Sequence, residues 1–331
     1  MAVSSRKKNL FDLFPAPEFL LLATTGVVIT DTDTKFMQLR RKLFGDGFEL
    51  MHASKIDNPK GVVESGLINN PKELAPILQK LSSHYKVRYV RASLSEEKAY
   101  LFTTYINWVS PEGLKDAVAF IIEENAPISL AESVFDFEII REDKSAGEIK
   151  LSVSVLPKNV VDAYVGLFES VGITPISFDL ESQSIARAVI RRGDRQTILI
   201  INISLEKTGF YVVEEEVVQF STTVAYGISG DESYPNLNDL KVEMHKIFTF
   251  WNARTNKSGQ PEKKIEKVIL CGLGGNKVDF VEKLMSESEV PYMLADVWQN
   301  LSSSKSQTPE ISFEESLSYA AVIGLVLPHD Q

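Results

Sequence analysis

Two stretches of the sequence show the same order of strands and helices, and this repeat constrains the fold more than any other feature. In the first stretch, strand-like segments at residues 26–30, 35–40 and 48–55, and a further one at 62–68, precede a helix that begins at Asn70-Pro71 and a strand at 87–92. In the second, the same series falls at residues 197–203, 208–213, 217–224, 240–254 and 267–271. A duplicated unit of this kind predicts an α/β fold of two lobes with a cleft between them.

Proline after a capping residue marks two helix starts in the first half of the chain. Asn70-Pro71 and Ser110-Pro111 each place a residue that favours the N-cap before proline at the first helical position. Apolar residues then recur with helical spacing, as Leu74, Ile77, Leu78 and Leu81 and as Leu114, Ala117, Val118 and Ile121. Strand-like segments at 87–92, 99–106, 134–140 and 149–156 surround the second helix. We therefore predict a compact subdomain of mixed sheet and two helices at residues 86–171.

The predicted domain organisation combines these segments with what a family resemblance, given below with its motifs, implies. A tail at 1–17 leads into the first lobe, which consists of residues 18–85, 172–192 and 312–328. The second lobe is predicted at 193–311, and the small subdomain at 86–171 is inserted into the first lobe. The final helix is predicted to begin after Ser312, with Glu314 and Glu315 in its first turn.

Composition excludes several classes of function. The 35 basic and 45 acidic residues give a net charge of -10, so electrostatics disfavour nucleic acid as a partner. Cys271 is the only cysteine and lies in an apolar run, which indicates a buried thiol and excludes an internal disulfide, as suits a reducing cytoplasm. The four histidines lack metal-ligand spacing, and residues 214–216 favour a solvated hairpin turn over a metal cluster. The sequence shows no pattern typical of a catalytic triad.

The N-terminal tail carries basic and apolar residues but no membrane-spanning pattern. Arg6, Lys7 and Lys8 precede Leu10, Phe11, Leu13 and Phe14, a combination that fits either a weak surface anchor or a disordered segment. No stretch of the sequence reaches the roughly 18 apolar residues of a transmembrane helix. We therefore expect any membrane contact to go through a partner or through residues 1–14.

Several segments resemble the type IV pilus assembly protein PilM and the related FtsA-type actin-like proteins. Residues 26–39, GVVITDTDTKFMQL, are similar to the family's first phosphate-binding hairpin, and residues 198–204, ILIINIS, to its second. Residues 178–188 resemble the D-x-E-x-x-A-L-x-R-A helix of PilM. Further similar segments are the helix at 242–251, the glycine-rich adenosine loop at 268–276 and the closing alanine-glycine helix at 317–327. The resemblance covers residues 18–328 in the family's order.

This resemblance implies a two-lobed actin-like fold, of the duplicated ribonuclease H type, with a small inserted α/β subdomain. It also implies a nucleotide cleft between the lobes. The matching positions are Thr32, Asp33, Lys35, Asn202, Ser204, Glu243, Lys246, Gly272, Gly274, Gly275 and Asn276. The glycines at 272–275 are equally consistent with a purely structural strand-to-helix turn. The short segment at 226–240 indicates that the family's helical 2B region, which supplies a lysine near the adenosine, is reduced.

Four departures from the family pattern fall on the two phosphate hairpins. Val28 and Asn202 replace the family's aspartates, and Thr30 and Ser204 replace its glycines. Valine has no atom that binds metal, and the neutral amide of asparagine is a weaker Mg²⁺ ligand than a carboxylate. We therefore expect no catalytic residues, no metal, and either no cofactor or only weakly bound ATP and Mg²⁺. Replacement ligands at Asp31 or Asp33 remain an alternative, although both fit the residue preference of a turn.

The resemblance implies a scaffold, a pseudo-ATPase without turnover, at the inner-membrane assembly platform of a type IV pilus or a related secretion system. The implied location is the cytoplasmic face of the inner membrane, through partners. The expected partners are the cytoplasmic N-terminal peptide of a single-pass PilN-like membrane protein and other platform proteins. The alternatives are an active actin-like ATPase or sugar-kinase relative and an FtsA-like division protein that polymerises.

Overall fold

The computed structural model describes residues 23–41, 48–228, 234, 236–255, 259, 261–301 and 311–327. The predicted tail at 1–17 lies outside these residues, as do parts of the predicted short region at 226–240. The strands are β1 (Thr24–Ile29), β2 (Asp33–Arg41), β3 (Phe48–Asp57), β4 (Val63–Glu64), β5 (Leu67–Ile68), β6 (Tyr89–Leu94), β7 (Tyr100–Asn107), β8 (Ser133–Asp143), β9 (Glu148–Pro157), β10 (Thr174–Leu180), β11 (Ile198–Ile203), β12 (Thr208–Glu214), β13 (Val217–Val224), β14 (Lys267–Gly272) and β15 (Tyr292–Leu294). The helices are α1 (Pro71–His84), α2 (Leu114–Asn125), α3 (Lys158–Ser170), α4 (Glu181–Val189), α5 (Leu237–Asn252), α6 (Val278–Met285), α7 (Phe313–Ser316) and α8 (Ala320–Val326).

Two five-stranded sheets share one topology. The first has the strand order β10-β6-β1-β2-β3 and the second has the order β13-β12-β11-β14-β15. In each sheet three consecutive strands form an antiparallel meander, and two later strands add in parallel beside the first of the three. The duplication predicted from the sequence is therefore confirmed, and each sheet is the centre of one lobe.

The helices form three layers that cover both faces of both sheets. Leu74 and Leu78 of α1 and Phe168 of α3 pack on the outer face of the first sheet. Leu240 and Trp251 of α5 pack with α6 on the outer face of the second sheet. Between the sheets lie α4 and α8, which share one core with residues of both sheets. The apolar spacing along each helix matches the face that it buries.

The inserted subdomain is smaller than the sequence predicted. Strands β7, β9 and β8 form a three-stranded sheet covered by α2, so the separate core comprises residues 100–157. We predicted that the insertion covers 86–171, but β6 pairs with β1 and β10 in the first sheet, and α3 packs on the core of the first lobe. The physical reason is that the apolar faces of β6 and α3 complete the core of the first lobe.

The inserted subdomain also contacts the second lobe. Ser152 Oγ on β9 donates a 2.6 Å hydrogen bond to the carbonyl of Val218 on β13. The buried ammonium of Lys150 lies 3.8 Å from Glu214 and 3.6 Å from Glu262. The predicted hairpin turn at 214–216 is confirmed, with Glu215 and Glu216 at positive φ, but Glu214 faces this interface instead of solvent. The subdomain therefore spans from one lobe to the other.

Two local expectations have contrasting outcomes. The segment 62–68, which we predicted as one strand, is instead the short hairpin of β4 and β5, because Ser65 and Gly66 both adopt positive φ. The cap predicted at Ser312 is confirmed, since its hydroxyl accepts a hydrogen bond from the Glu315 amide. Among the described residues, no helix is long and apolar enough to cross a membrane.

Candidate functional site

The turn between β1 and β2 is closed by a hydroxyl group at its first position. The amide of Thr30 donates to the carbonyl of Asp33 at 2.8 Å, and the amide of Asp33 donates to Thr30 Oγ1 at 3.0 Å. The same hydroxyl donates to the Asp33 carbonyl at 3.0 Å. Thr30 stands where the family has glycine, and its side chain uses the backbone amide that would otherwise face the cleft.

The turn between β11 and β12 repeats this geometry. The amide of Ser204 donates to the carbonyl of Lys207 at 2.8 Å, and the amide of Lys207 donates to Ser204 Oγ at 3.1 Å. Ser204 Oγ in turn donates to the Lys207 carbonyl at 2.8 Å. Both glycine replacements therefore satisfy a turn internally, and neither leaves its amide free to cradle a phosphate.

The side chain of Lys207 joins the two lobes at the mouth of the cleft. Its ammonium pairs with Asp31 of the first turn and, at 2.8 Å, with Glu97 in the short 3₁₀ turn Glu96–Lys98. The three side chains are about four-fifths buried. Burial lowers the pKa of Lys207, but hydrogen bonds and charge from Asp31 and Glu97 outweigh it and raise the pKa overall. Asp31 also accepts from the amide of Ser65 at 3.0 Å, which fixes the carboxylate.

Asp33 and Lys35, both buried, form a second ion pair inside the first hairpin. Lys35 Nζ lies 3.0 Å from Asp33 Oδ1, and Lys55 Nζ lies 3.5 Å from Asp33 Oδ2. The two aspartates considered as replacement metal ligands are therefore both engaged with lysines. In the part of the chain that the structure describes, no group of three or more His, Cys, Asp or Glu residues could hold a metal ion.

Two glutamates lie at the base of the cleft: Glu181, which is partly buried and begins α4, and Glu96, which is buried in the 3₁₀ turn. Glu181 Oε1 accepts a 3.2 Å hydrogen bond from Asn202 Nδ2, and burial raises the pKa of Glu181. Glu96 Oε1 accepts from the amide of Ser182 at 2.7 Å. Burial, followed by the charge of Glu181, raises the pKa of Glu96 to about 8, so Glu96 is largely protonated at neutral pH. Asn202 is therefore a neutral donor to Glu181, a role that aspartate cannot fill.

The space left between the hairpins is small and its walls are acidic. The cavity measures about 110 Å³, whereas sites for small molecules usually measure roughly 300–1,000 Å³. Its lining carries two ammonium groups against the carboxyl groups of Asp31, Asp33, Glu97, Glu181 and Glu206. The lobes are thus closed onto each other by protein side chains, and the surplus of carboxyl groups repels an anionic ligand.

The cleft brings together some of the sequence-predicted site residues. Thr32, Asp33, Lys35, Asn202, Ser204 and Gly272 line it. Gly272 has φ +81°, and an added Cβ would lie 2.4 Å from the carbonyl oxygen of Ile203, so the packing of the strand end alone requires glycine there. Gly274 packs in the same way against the side chain of Ile203. Gly275 and Asn276 belong to the 3₁₀ turn Leu273–Asn276, and the side chain of Asn276 lies outside what the structure describes. Nucleotide binding by any of these residues stays a prediction.

Glu243 and Lys246 do not reach the cleft, contrary to the expectation from the resemblance. Helix α5 buries Leu240, Met244, Ile247 and Trp251, and this turns Lys246 outward, where it is 66% exposed and pairs with Glu243 at 3.0 Å. Sequence reasoning also missed Lys207, Glu97, Glu96 and Glu181. Lys207 could have been found from the sequence, because it occupies the same position at the tip of the second hairpin as Asp33 does at the tip of the first.

Comparisons with known proteins agree with this architecture. The solved "PilM-PilN type IV pilus biogenesis complex" matches with a TM-score of 0.75 and 16% sequence identity, over 92% of this chain and 98% of that chain. The ethanolamine utilization protein EutJ from Carboxydothermus hydrogenoformans matches with a TM-score of 0.52 and 10% identity, over 93% of this chain and 90% of that chain. No curated protein matches the chain. The fold is the two-lobed actin-like α/β fold that the sequence predicted.

The model of one protein family matches well over half of the chain. It is described as "Type IV pilus assembly protein PilM" and covers residues 26–233, from β1 through both hairpins and the inserted subdomain. The chain therefore belongs to the PilM family of type IV pilus assembly proteins.

Proposed function

We propose that this PilM-family chain is a scaffold that binds a membrane-protein peptide and does not hydrolyse ATP. The observation that carries the proposal is the ion pair of Lys207 with Asp31 and Glu97, which joins the lobes where an actin-like ATPase would hold phosphate. A nucleotide would have to separate these groups and also overcome the surplus of carboxyl groups in the cleft. Val28 and Asn202 supply neither of the carboxylates that would organise Mg²⁺.

The candidate peptide site lies between the first lobe and the inserted subdomain. Strand β10 is an edge of the first sheet, and β8 is an edge of the three-stranded sheet. Gln183, in the first turn after β10, donates a 3.4 Å hydrogen bond to Glu138 of β8, so the two edges are neighbours. Ile176 on β10 is 58% exposed, and Val134 and Ile139 on β8 are also exposed. An extended peptide adds to such an edge through main-chain hydrogen bonds and places alternate side chains on apolar residues.

The partner we propose is the cytoplasmic N-terminal peptide of a PilN-like single-pass membrane protein. Support comes from the family and from the solved PilM-PilN complex with the same fold. The proposed location that goes with this partner is the inner face of the inner membrane, within a pilus or secretion platform and beside other platform proteins.

The nucleotide half of the proposal is tested by isothermal titration of ATP with Mg²⁺ into the purified chain, together with phosphate release. We expect neither binding nor turnover. The variant Lys207→Ala breaks the cross-lobe ion pair and leaves Val28 and Asn202 unchanged, so we expect it to remain without turnover. Phosphate release by the unmodified chain would overturn the pseudo-ATPase proposal and direct attention to Asp31 and Asp33 as metal ligands.

The peptide half is tested by fluorescence anisotropy with the labelled N-terminal peptide of the PilN-like protein of the same organism. The variant Ile176→Asp places a charge on the β10 edge, and we expect affinity to fall by about tenfold or more. Val242→Asp is the matched control, because Val242 is 55% exposed on α5 of the second lobe. Equal affinity of the two variants would move the peptide to another surface.

A further inference from the structure

One end of the first lobe carries a group of exposed cations. Lys80 lies in the last turns of α1, Lys86 follows that helix, and Arg88 directly precedes β6. All three side chains are exposed, and none of them forms a salt bridge with another described residue. We call Lys80, Lys86, Arg88 and the neighbouring Tyr89 the basic end.

The basic end contrasts with the rest of this acidic chain. Residues 79–91 contain no Asp or Glu, although the chain as a whole has a net charge of -10. The nearest acidic residues along the chain are Glu73, at the other end of α1, and Glu96, which is buried. The local charge is therefore positive on a molecule that elsewhere repels anions.

The backbone at Lys86 adopts a left-handed conformation that favours glycine over lysine. Lys86 has φ 55°, in the left-handed region, and the amide of Val87 donates to the carbonyl of Leu81 to end the helix. Glycine would occupy this position at about 1 kcal/mol less cost. A lysine here therefore contributes a charge and does not improve the helix end.

Tyr89 adds an aromatic group beside the cations. Its side chain is 48% exposed, and the register of β6 and β10 pairs it with Thr174, two residues before the exposed Ile176. A half-exposed tyrosine next to lysine and arginine is typical of surfaces that contact the headgroup region of a membrane, because its ring is apolar and its hydroxyl is polar.

The chain enters the fold at this same end. Strands β1 and β6 are parallel with Gly26 paired to Arg91, so Ala23 lies at the end of the sheet where Arg88 precedes β6. Residues 1–22 precede Ala23 in sequence and include Arg6, Lys7 and Lys8. Two basic parts of the sequence are thus attached to one end of the molecule.

We propose that the basic end is a docking surface for an anionic lipid bilayer, with Lys80, Lys86 and Arg88 contacting lipid phosphates and Tyr89 lying at headgroup level. The acidic remainder of the protein is repelled by the same bilayer, so the surface also orients the molecule. This inference goes beyond the scaffold role and requires neither the peptide nor the nucleotide cleft.

The test is flotation of the full chain with vesicles of phosphatidylcholine alone or of phosphatidylcholine with phosphatidylglycerol. We expect co-flotation only with the anionic vesicles, and weaker co-flotation as salt concentration rises. The test variant combines Lys80→Gln, Lys86→Gly and Arg88→Gln. Each cation near an anionic surface strengthens partitioning about fivefold, so we expect the triple variant to bind about 100-fold more weakly.

A matched control separates this surface from total charge. The variant Lys115→Gln, Lys144→Gln, Lys264→Gln removes the same charge from exposed positions on α2, the β8–β9 turn and the segment before β14, and it should bind like the unmodified chain. Because Lys86→Gly relaxes the backbone, that single variant keeps the fold and should still lose about fivefold. Equal losses in the two triple variants would overturn the proposal. Unchanged binding of the test variant would also overturn it and would assign the membrane contact to residues 1–22.

Failure of the unmodified chain to float with anionic vesicles would overturn the proposal as well, and it would assign the basic end to an acidic protein surface. Peptide binding is measured without lipid, so either proposal can fail alone.

Discussion

The two phosphate-type hairpins of this chain have the same turn but opposite charges at its fourth position. Thr30 and Ser204 close their turns with equivalent hydroxyl hydrogen bonds, and the fourth residue of each turn is charged. The first turn carries Asp31 and Asp33, whereas the second carries Glu206 and Lys207. The second tip therefore binds the first across the cleft, in the space where an actin-like ATPase would hold phosphate and metal.

Under the proposed function, this difference makes the two hairpins a structural joint instead of an anion cradle. The two hairpins share strand pairing and turn length, which each sheet requires for its core. They differ in the sign of the charge at the fourth position of the turn, and this difference allows one tip to bind the other. A joint made from the protein's own ions needs no ligand to hold the lobes together.

The largest effect on stability is expected from replacing Val28 by the aspartate that the family has in the first hairpin. Val28 is 3% exposed and packs in the core between the sheets, so Val28→Asp should destabilise the fold by about 3–4 kcal/mol through an unpaired buried carboxylate. Urea unfolding measures this loss. Val28→Ala removes volume without charge and should cost only about 1–2 kcal/mol.

In the second hairpin the same restoration should cost less. Asn202 is partly buried, and Asn202→Asp would lose the donor to Glu181 and place two carboxylates side by side, for about 1–2 kcal/mol. Equal losses from Val28→Asp and Asn202→Asp would contradict the view that the first hairpin is apolar and the second is polar at this position.

The next largest effect is expected from reversing the charge of Lys207. Lys207→Glu sets three carboxylates against one another at the mouth of the cleft, and we expect a loss of about 2–3 kcal/mol in the free energy of unfolding. Adding Asp31→Lys should recover part of it, because the swapped pair restores one attraction. Lys246→Glu is the control, since Lys246 is largely exposed and its reversal should change stability little.

Local sequence signals predicted most of the fold but not the joint. Apolar spacing, capping residues and turn residues predicted the hairpins, the start of α1 and the duplicated strand order. Each of these signals lies within a few consecutive positions of the sequence. The pairing of Lys207 with Asp31 joins residues 176 positions apart, so no local pattern indicates it. The assignment of β6 failed for the same reason, because its partners are β1 and β10 and not its neighbours in sequence.

The misplaced pair Glu243 and Lys246 teaches a different lesson. The apolar spacing of Leu240, Met244, Ile247 and Trp251 correctly gave the buried face of α5. That spacing alone places Lys246 on the opposite face, and the resemblance to the family overrode it. Where helical periodicity and a family motif disagree, periodicity was the better guide here.

A smaller, pH-dependent effect is expected from Glu96 at the base of the joint. Its pKa rises from 4.5 in the unfolded chain to about 8 in the fold, so the native state binds the extra proton between these values. Stability contributed by this group is therefore full below pH 4.5 and is lost as pH rises toward 8. Glu96→Gln should flatten this slope and stabilise the fold near pH 8 by about 1–3 kcal/mol. Urea unfolding across this pH range, with the exposed Glu124→Gln as control, measures it, and an unchanged slope would contradict the assignment.

The smallest effects test whether the two turns are equivalent. Thr30→Ala removes a hydroxyl that accepts from the amides of Thr32 and Asp33, and Ser204→Ala removes one that accepts from the amide of Lys207. Each hydroxyl also donates to a carbonyl, so each variant should cost about 1 kcal/mol of unfolding free energy. The double variant should lose the sum, because the two hydroxyls share no partner. Neither variant should gain ATP binding, since Lys207 still occupies the cleft. If only one of the two variants lost stability, the two turns would contribute differently to the free energy of unfolding despite their common hydrogen bonds. The hairpins would then differ in their turns as well as in the charges at their tips.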